Sequence, residues 1–374
     1  MADTPVPSAT YLCPRDGARA DSATTAWCCP VCGGPWDLDT GVLPPVRLDA
    51  LGGRVNSLWR YEEVLPLASP AVSLGEGRTP LVPLTDRVSA KLDYMMPTLS
   101  FKDRGAVMLA ELARRLSPER VVADSSGNAG TAVAAYCARA GLPCTVYVPE
   151  GTSPKKTEQI RAHGARPETV PGGREAAAAA ARAAADVPGS FYASHVFNPY
   201  FLHGTKTYVY EIWEELGGTL PDAIAVPVGN GTLLLGAALA TAELLAHGLI
   251  DRRPALIAVQ AEAVSPLAAA FRAGADGLSG VPGVPDRARA TLAEGIAIPR
   301  PPRARQILAA VRESGGTFLT VTEKQIREAQ RDLARRGFFV ETTGVACWAA
   351  VGGMTDRSVV VPLCGAGLKT GLAP

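Results

Sequence analysis

The 374-residue sequence predicts an α/β fold built from doubly wound, mostly parallel sheets. From residue 121 onward, short runs of β-forming residues alternate with alanine-rich stretches at helix-compatible spacing, which is typical of strands covered by helices. With 47% hydrophobic residues, the chain is long enough for two packed domains. A short Cys-rich N-terminal stretch with little periodicity precedes this part.

The alternation gives a specific set of elements. The predicted strands lie near residues 121–125, 144–148, 191–196, 224–228, 256–261, 317–321 and 358–363. The predicted helices cover 128–140, 154–163, 173–186, 201–217, 232–247 and 323–336. Residues 273–303 are rich in Gly, Pro and Arg, and we expect an irregular excursion there.

Charge and composition exclude several kinds of partner. The 37 Lys and Arg residues balance the 36 Asp and Glu residues, so no strong field would attract nucleic acid or an anionic membrane. No stretch approaches the roughly 18 apolar residues of a spanning helix. The eight cysteines do not form a disulfide framework, which favours a reducing compartment. We therefore expect a cytoplasmic protein that binds neither nucleic acid nor membrane.

The segment MMPTLSFKDRGA places Lys102 directly after an extended stretch and at the start of an apolar-rich helix. Taken alone, a lysine in a first helical turn is a solvated surface charge. A lysine that reacts as an amine must lose its proton readily, which burial and a neighbouring cation such as Arg104 both promote.

Two glycine turns follow predicted strands and open predicted helices. The first is Ser125-Ser126-Gly127-Asn128-Ala129-Gly130, and the second is Gly229-Asn230-Gly231-Thr232-Leu233. Helix N-termini with small residues suit carboxylates or phosphates, because unsatisfied N–H groups and the helix dipole favour an anion. Ordinary turn and capping chemistry explains the first turn equally well. A dinucleotide site at the second turn is disfavoured, because Leu234 replaces the third glycine of that fingerprint.

In the order in which they occur, these segments resemble the threonine-synthase branch of the fold-type II (tryptophan synthase β-like) pyridoxal-phosphate enzymes. The resemblance runs from about Leu74 to Lys369. It rests on LGEGRTPL (74–81), PTLSFKDRG (97–105), SSGNAG (125–130), KTEQIRAHGA (156–165), HGTKTYVYEIWEELG (203–217), PVGNGT (227–232), VETTGVA (340–346) and CGAGLK (364–369).

The resemblance implies a role for each segment. Lys102 would hold pyridoxal 5′-phosphate as a Schiff base and abstract the substrate α-proton. Asn128 would meet the ring hydroxyl, and Cys364 would face the pyridine nitrogen. The cofactor-phosphate ligands would be Gly229, Asn230, Gly231, Thr232 and Leu233. The substrate-carboxylate ligands would be Ser125, Ser126, Gly127, Asn128 and Ala129.

The resemblance also implies a domain organisation. We expect a Cys-rich module and arm over residues 1–60. A large cofactor-binding domain would comprise 61–110 and 211–374, and a small mobile α/β domain would comprise 111–210. We expect a homodimer.

The expected activity is a lyase or transferase reaction on an amino acid with a β- or γ-leaving group, with O-phosphohomoserine to threonine as the leading candidate. The family usually has Gly at Leu99 and often Thr at Ala129, so a serine/threonine dehydratase or a β/γ-replacement enzyme remains an alternative. From another class, the chain could be a non-catalytic binding protein that retains the fold. Donors for a substrate phosphate could come from Arg78, Lys156, Arg174 and Lys206.

The N-terminal cysteines predict a possible zinc site. Cys29 and Cys32 are separated by two residues and followed by glycine, which is half of a zinc knuckle. Cys13 begins the other half, in which Asp16 stands where a second cysteine would complete the set. Asp16 and Cys28 are both candidates for the fourth ligand. The alternative is a metal-free ribbon held by apolar contacts, and either role would be structural.

Overall fold

The structure is a computed structural model that describes residues 9–125, 127–152, 154–285 and 289–373. It divides into two compact units. Unit 1 contains the described residues of Met1–Gly77 and Lys102–Thr205, and unit 2 contains those of Arg78–Phe101 and Lys206–Pro374. The predicted three-part domain organisation stays a prediction.

In its described residues, unit 1 carries two sheets and five α-helices. The strands are β1 (Thr10–Leu12), β2 (Arg19–Asp21), β3 (Asp37–Asp39), β6 (Arg120–Asp124), β7 (Cys144–Pro149), β8 (Arg166–Val170) and β9 (Ser190–Tyr192). The helices are α1 (Lys102–Leu116), α2 (Asn128–Ala140), α3 (Pro154–Ala162), α4 (Arg174–Ala185) and α5 (Tyr200–Thr205). The N-terminal sheet has the antiparallel order β2-β1-β3, and the larger sheet has the parallel order β8-β7-β6-β9.

The parallel sheet of unit 1 is covered on both faces. One core includes Val121, Ala123 and Val146 from the strands together with residues of α1 and α2. On the other face, Val122 and Tyr192 pack with Ala181 and Ala185 of α4. A strand buried on both faces needs a continuous apolar run, which is why Val121-Val122-Ala123 is easily recognised in the sequence.

The described residues of unit 2 are built around one six-stranded sheet. Its strands are β4 (Leu81–Pro83), β5 (Val88–Lys91), β10 (Ala223–Pro227), β11 (Ala255–Ala261), β12 (Thr317–Val321) and β13 (Val359–Pro362). Its helices are α6 (Thr207–Glu215), α7 (Thr232–Ala246), α8 (Pro266–Arg272), α9 (Ala304–Glu313), α10 (Glu323–Arg335) and α11 (Thr342–Val351). The order is β12-β11-β10-β13-β5-β4, and every pairing is parallel except that of β4 with β5.

The α/β fold class predicted from the sequence is confirmed, and each predicted strand and helix is present within a few residues. The predicted helix 201–217 is two helices, α5 and α6, separated at Lys206. Among the described residues of 273–303, the only regular element is a 3-10 helix at Glu294–Ile296, so the predicted irregular stretch is confirmed. Further 3-10 helices lie at Leu48–Gly53, Leu58–Val64, Asp93–Met95 and Gly367–Lys369.

Several elements were not predicted. The strand β8 reads Arg-Pro-Glu-Thr-Val, in which proline and glutamate obscure the β signal, and it lies at the edge of its sheet, where proline is tolerated. The helices α8, α9 and α11 and the strands β4 and β5 were also missed. Within the part of the chain that the structure describes, no helix is long and apolar enough to cross a membrane.

Candidate active site

Lys102 is the first residue of α1, and its side chain is half-buried. Its Nζ lies 5.7 Å from the centroid of the Phe201 ring on α5. The two helices approach closely because glycines line the contact. A Cβ on Gly105 would lie 2.4 Å from the Phe201 ring, and one on Gly204 would lie 1.9 Å from the Arg104 carbonyl oxygen. Lys102 therefore stands at the start of a closely packed helix pair, and its side chain is only partly exposed.

The segment that leads to Lys102 is fixed within unit 2. Ser100 forms an isolated antiparallel bridge with Gly365, and the Phe101 amide donates to the Cys364 carbonyl over 2.9 Å. The Ser100 hydroxyl is buried and has no hydrogen-bond partner among the described residues. A buried hydroxyl without a partner is unusual in a folded protein, and a polar ligand at this edge of the sheet would satisfy it.

Leu99 adopts a left-handed backbone conformation, with φ of 61°. This region is costly for a side chain with a Cβ and free for glycine. The backbone there is fixed from both sides, because the Leu99 amide donates to Met96 and its carbonyl accepts from Ala366. The left-handed backbone thus explains why the resemblance leads us to expect glycine at this position. In this chain, Leu99 introduces backbone strain two residues before Phe101.

His195 was not identified from the sequence, although it lies beside Lys102. Its ring centroid is 5.8 Å from that of Phe201, in an edge-on arrangement. Burial, followed by the positive charges of Lys102 and Arg174, lowers the pKa of His195 well below its usual value. The imidazole is therefore neutral at neutral pH. A single histidine between Ser194 and Val196 carries no spacing signal, so only the fold reveals its position.

The first glycine turn joins β6 to α2, as predicted. Among the described residues no side chain caps α2, whose N-cap is Gly127. The Gly127 amide donates to the Ser125 hydroxyl over 3.2 Å, and a Cβ on Gly130 would lie 2.2 Å from the Ser125 carbonyl oxygen. Asn128 is the first helical residue and is half-buried, while Ala129 is buried. Ser126 lies outside the described residues.

The second glycine turn joins β10 to α7 and forms a close-fitting cradle. Gly231 is the N-cap of α7, with φ of 75°, and a Cβ there would lie 2.4 Å from Cδ1 of Ile307. A Cβ on Gly229 would lie 2.9 Å from the Ile296 Cα. Only glycine fits at either position. Thr232 and Leu233 are buried in the first turn of α7, and Asn230 is half-buried between the two glycines.

Cys364 lies at the same edge of the unit 2 sheet as this cradle. The adjacent parallel strands β10 and β13 end at Pro227 and Pro362, so the residues that follow each strand are neighbours. Cys364 is fully buried, and a Cβ on Gly344 of α11 would lie 2.8 Å from its amide nitrogen. The glycine of the VETTGVA segment thus lets α11 pack directly against Cys364.

Two of the four cations suggested as donors for a substrate phosphate lie in ion pairs within unit 2. Lys206 is fully buried and lies 2.7 Å from Glu243, while Arg78 lies 2.9 Å from Glu214. Burial lowers the pKa of Lys206 despite this partner. Arg174 is exposed at the start of α4, and the side chain of Lys156 lies outside the described part of the chain.

The three N-terminal cysteines named as metal ligands come together with Asp16. One possible ligand atom from each of Cys13, Asp16, Cys29 and Cys32 lies within 4.8 Å of all the others. A hydrogen bond from the Ala18 amide, assisted by the neighbouring thiols, lowers the pKa of Asp16 to about 2. Cys28 is half-buried, and burial, followed by the charge of Asp186, raises the pKa of its thiol; its side chain is not part of the group. Asp16, rather than Cys28, is therefore the fourth member of this group.

Comparison with known proteins identifies the class that this fold and these turns define. The sequence model of the pyridoxal-phosphate dependent enzyme family matches residues 72–365. The chain belongs to this family, and the pyridoxal-phosphate cofactor predicted from the motifs is confirmed.

Within the family, the chain is similar to proteins named threonine synthase. That of Methanosarcina acetivorans is 32% identical over 93% of this chain and 87% of its own length. That of Methanocaldococcus jannaschii is 33% identical over 84% and 79%, and that of Mycobacterium leprae is 34% identical over 83% and 87%. The resemblance to the threonine-synthase branch is thus confirmed.

Solved structures agree on the fold. The threonine deaminase of T.th. superposes with a TM-score of 0.65 at 28% identity, covering 80% of this chain and 94% of its own. Maize serine racemase superposes equally well, with a TM-score of 0.65, at 20% identity over 78% of this chain and 88% of its own.

Proposed function

We propose that this chain is a threonine synthase, which converts O-phosphohomoserine and water into threonine and inorganic phosphate. The observation that carries the proposal is the similarity to threonine synthases from archaea and mycobacteria over most of both chains. Because the similar proteins are named threonine synthase, the substrate is a small amino acid. The dehydratase alternative shares the scaffold, so the choice of substrate is the part that needs an experiment.

We propose that Lys102 binds the cofactor aldehyde and moves the substrate α-proton. Bound pyridoxal phosphate supplies a conjugated electron sink next to the substrate α-carbon. The Lys102 amine would hold the cofactor aldehyde and would also be the base that moves the substrate α-proton. The centroid of the Phe201 ring lies 5.7 Å from Lys102 Nζ, so the amine has an apolar neighbour. His195 adds no positive charge nearby, because its imidazole is neutral at neutral pH. Both features favour an amine that gains and loses its proton readily.

We propose that the cradle Gly229–Leu233 binds the cofactor phosphate. The two glycines allow the backbone to approach an anion closely, and the first amides of α7 provide its positive end. The Thr232 hydroxyl is a further donor. At the same sheet edge, Cys364 would contact the pyridine nitrogen, and because a thiol is only a weak donor the ring would stay largely unprotonated.

We propose that the first turn of α2 binds the substrate. Its N-terminus has no side-chain cap among the described residues, which suits the substrate carboxylate. Ser125, Gly127 and Ala129 supply this turn together with Ser126, and Asn128 would contact the cofactor ring hydroxyl.

A second candidate activity is elimination from threonine or serine. The ion pairs of Arg78 and Lys206 favour it, because these two cations are engaged by Glu214 and Glu243. A site for a phosphorylated substrate needs donors for its phosphate, and fewer remain. The fold similarity to a threonine deaminase supports the same candidate.

A substrate panel separates these activities. The purified chain is incubated with O-phosphohomoserine, L-threonine or L-serine, with Lys102→Ala as the inactive control. Phosphate and threonine released in equal amounts from O-phosphohomoserine support a threonine synthase. Keto-acid release from threonine or serine, with no phosphate from O-phosphohomoserine, would contradict the threonine synthase proposal and support a dehydratase.

We further propose that the enzyme is a cytoplasmic homodimer. None of the eight cysteines, which all lie in the described residues, forms a disulfide, and this fits a reducing compartment. Light scattering of the purified chain tests the dimer, and a mass of one chain at working concentration would exclude it.

A further inference from the structure

Two turns of the N-terminal module have the same sequence pattern and the same backbone hydrogen bonds. One reads Cys-Pro-Arg-Asp-Gly over residues 13–17, and the other reads Cys-Pro-Val-Cys-Gly over residues 29–33. In each, the glycine amide donates to the first cysteine carbonyl, over 3.0 and 2.8 Å respectively. In each, the first cysteine amide donates to the carbonyl five residues on, over 2.8 and 2.9 Å. Both glycines have positive φ, at 76° and 63°. Asp16 is therefore the structural equivalent of Cys32.

The ligand atoms of the four side chains of these turns lie within 4.8 Å of one another, and two of their pairs have separations close to those of a tetrahedral metal site. Zinc–sulfur bonds of about 2.3 Å give tetrahedral edges of about 3.8 Å between two thiolates, and of about 3.5 Å between a thiolate and a carboxylate oxygen. The Sγ atoms of Cys13 and Cys32 are 3.5 Å apart, and Cys29 Sγ lies 3.4 and 3.6 Å from the two Asp16 oxygens. A disulfide would require about 2.05 Å, so these thiols are not bonded to each other.

We propose that Cys13, Asp16, Cys29 and Cys32 bind one Zn²⁺ ion per chain, with a carboxylate oxygen of Asp16 as the fourth ligand. Four protein ligands leave no open position, so the site is structural. Cys13 and Cys29 are buried, whereas Asp16 and Cys32 are exposed, so the ion would lie at the surface of the module. A carboxylate is a harder ligand than a thiolate, so this site holds zinc less tightly than four cysteines would.

The site is joined to the part of unit 1 that carries Phe201. Tyr11, two residues before Cys13, stacks on Trp36 at 5.6 Å and meets Tyr200 edge-on at 6.4 Å. The Trp36 amide donates to the Phe197 carbonyl over 3.3 Å. An ion that links the two turns would hold this aromatic contact in place. The expected effect of metal loss is therefore on the stability of unit 1, without a direct effect on the chemistry.

Metal content of the purified chain with its cofactor tests the site, with Cys28→Ser as the matched control. Cys28 is adjacent to Cys29 but outside the group of four. After growth with zinc and dialysis, the parent and Cys28→Ser chains should each retain about one zinc per chain, and Cys32→Ser should retain almost none. Because metal content is measured without turnover, its outcome is independent of the proposed activity. Cofactor absorbance and circular dichroism check that each variant is folded.

The cobalt spectrum tests the role of Asp16. In chains loaded with Co²⁺, Asp16→Cys should keep the ion and raise the thiolate-to-cobalt absorption by about a third, because four thiolates replace three. Asp16→Asn should bind the ion more weakly. Three results would each overturn the proposal. The folded parent chain could contain no metal, Cys28→Ser could lose the ion while Cys32→Ser keeps it, or mass spectrometry could show a disulfide among these cysteines.

Discussion

The cradle at Gly231 gives the sharpest prediction, for the substitution Gly231→Ala. The new Cβ has two separate costs. A left-handed backbone, φ of 75°, costs alanine about 1–2 kcal/mol, and the overlap with Ile307, 2.4 Å from Cδ1, adds about 1–3 kcal/mol for overpacking. If the turn relieves both by moving, the α7 amides leave their positions around the phosphate. A loss of about 2–5 kcal/mol in cofactor binding corresponds to a roughly 30- to 5,000-fold higher Kd.

Gly248 provides a matched control, because it follows the same helix at its other end. Its φ is 66°, and nothing lies within 4 Å of a Cβ there. Gly248→Ala should therefore lower the free energy of unfolding by about 1–2 kcal/mol and leave the cofactor Kd unchanged. Adding Ile307→Ala to Gly231→Ala should recover part of the lost affinity, because it removes Cγ1 and Cδ1 of Ile307, the two atoms that the new Cβ overlaps. Cofactor titration of the apo-protein measures each value, and parental affinity in Gly231→Ala would refute the reasoning.

Three further predictions concern stability. Lys91→Met should lower the free energy of unfolding by about 3–5 kcal/mol in urea titrations, because Lys91 and Glu211 are both fully buried, 3.0 Å apart, and the carboxylate would lose its buried cationic partner although the Arg78 and Thr79 amides still donate to it; a loss below about 1 kcal/mol would contradict this. Leu99→Gly should raise the same free energy by about 0.5–1 kcal/mol, since relief of the left-handed strain exceeds the entropy of glycine, and Leu99→Ala should not. Folding lowers the pKa of His195. As the pH falls below about 6.5, the imidazole is therefore protonated in the unfolded chain but stays neutral in the folded chain, and this favours unfolding. The parent should therefore lose stability between about pH 6.5 and pH 5, and His195→Asn should show a flatter profile; equal slopes would contradict the assignment.

The sequence predicts best those features that depend on neighbouring residues. The centre of β6, Val121–Ala123, is a continuous apolar run, and both glycine turns lie between an apolar strand and a helix, so their positions follow from local pattern. The order of the motifs then identifies the family. By contrast, β8 is mostly polar, has no fully buried residue and lies at a sheet edge, and its pairing with β7 depends on the rest of the sheet.

Long-range contacts explain what the sequence could not reveal. His195 and Lys102 are 93 positions apart, and only the packing of α5 against α1 brings the histidine near the amine. The fourth metal ligand is a similar case, since the sequence leaves Asp16 and Cys28 open and only the approach of the two turns groups Asp16 with the three cysteines. The strain at Leu99 is visible only as a backbone angle.

The central claim is that the Lys102 amine carries the cofactor. Borohydride reduction of the purified enzyme, followed by proteolysis and peptide mass spectrometry, tests it most directly. The account predicts that the reduced pyridoxyl-phosphate mass lies on the peptide containing Lys102, and that Lys102→Ala takes up no label while it remains folded. Label on a different lysine in the parent, or undiminished labelling of Lys102→Ala, would contradict the claim.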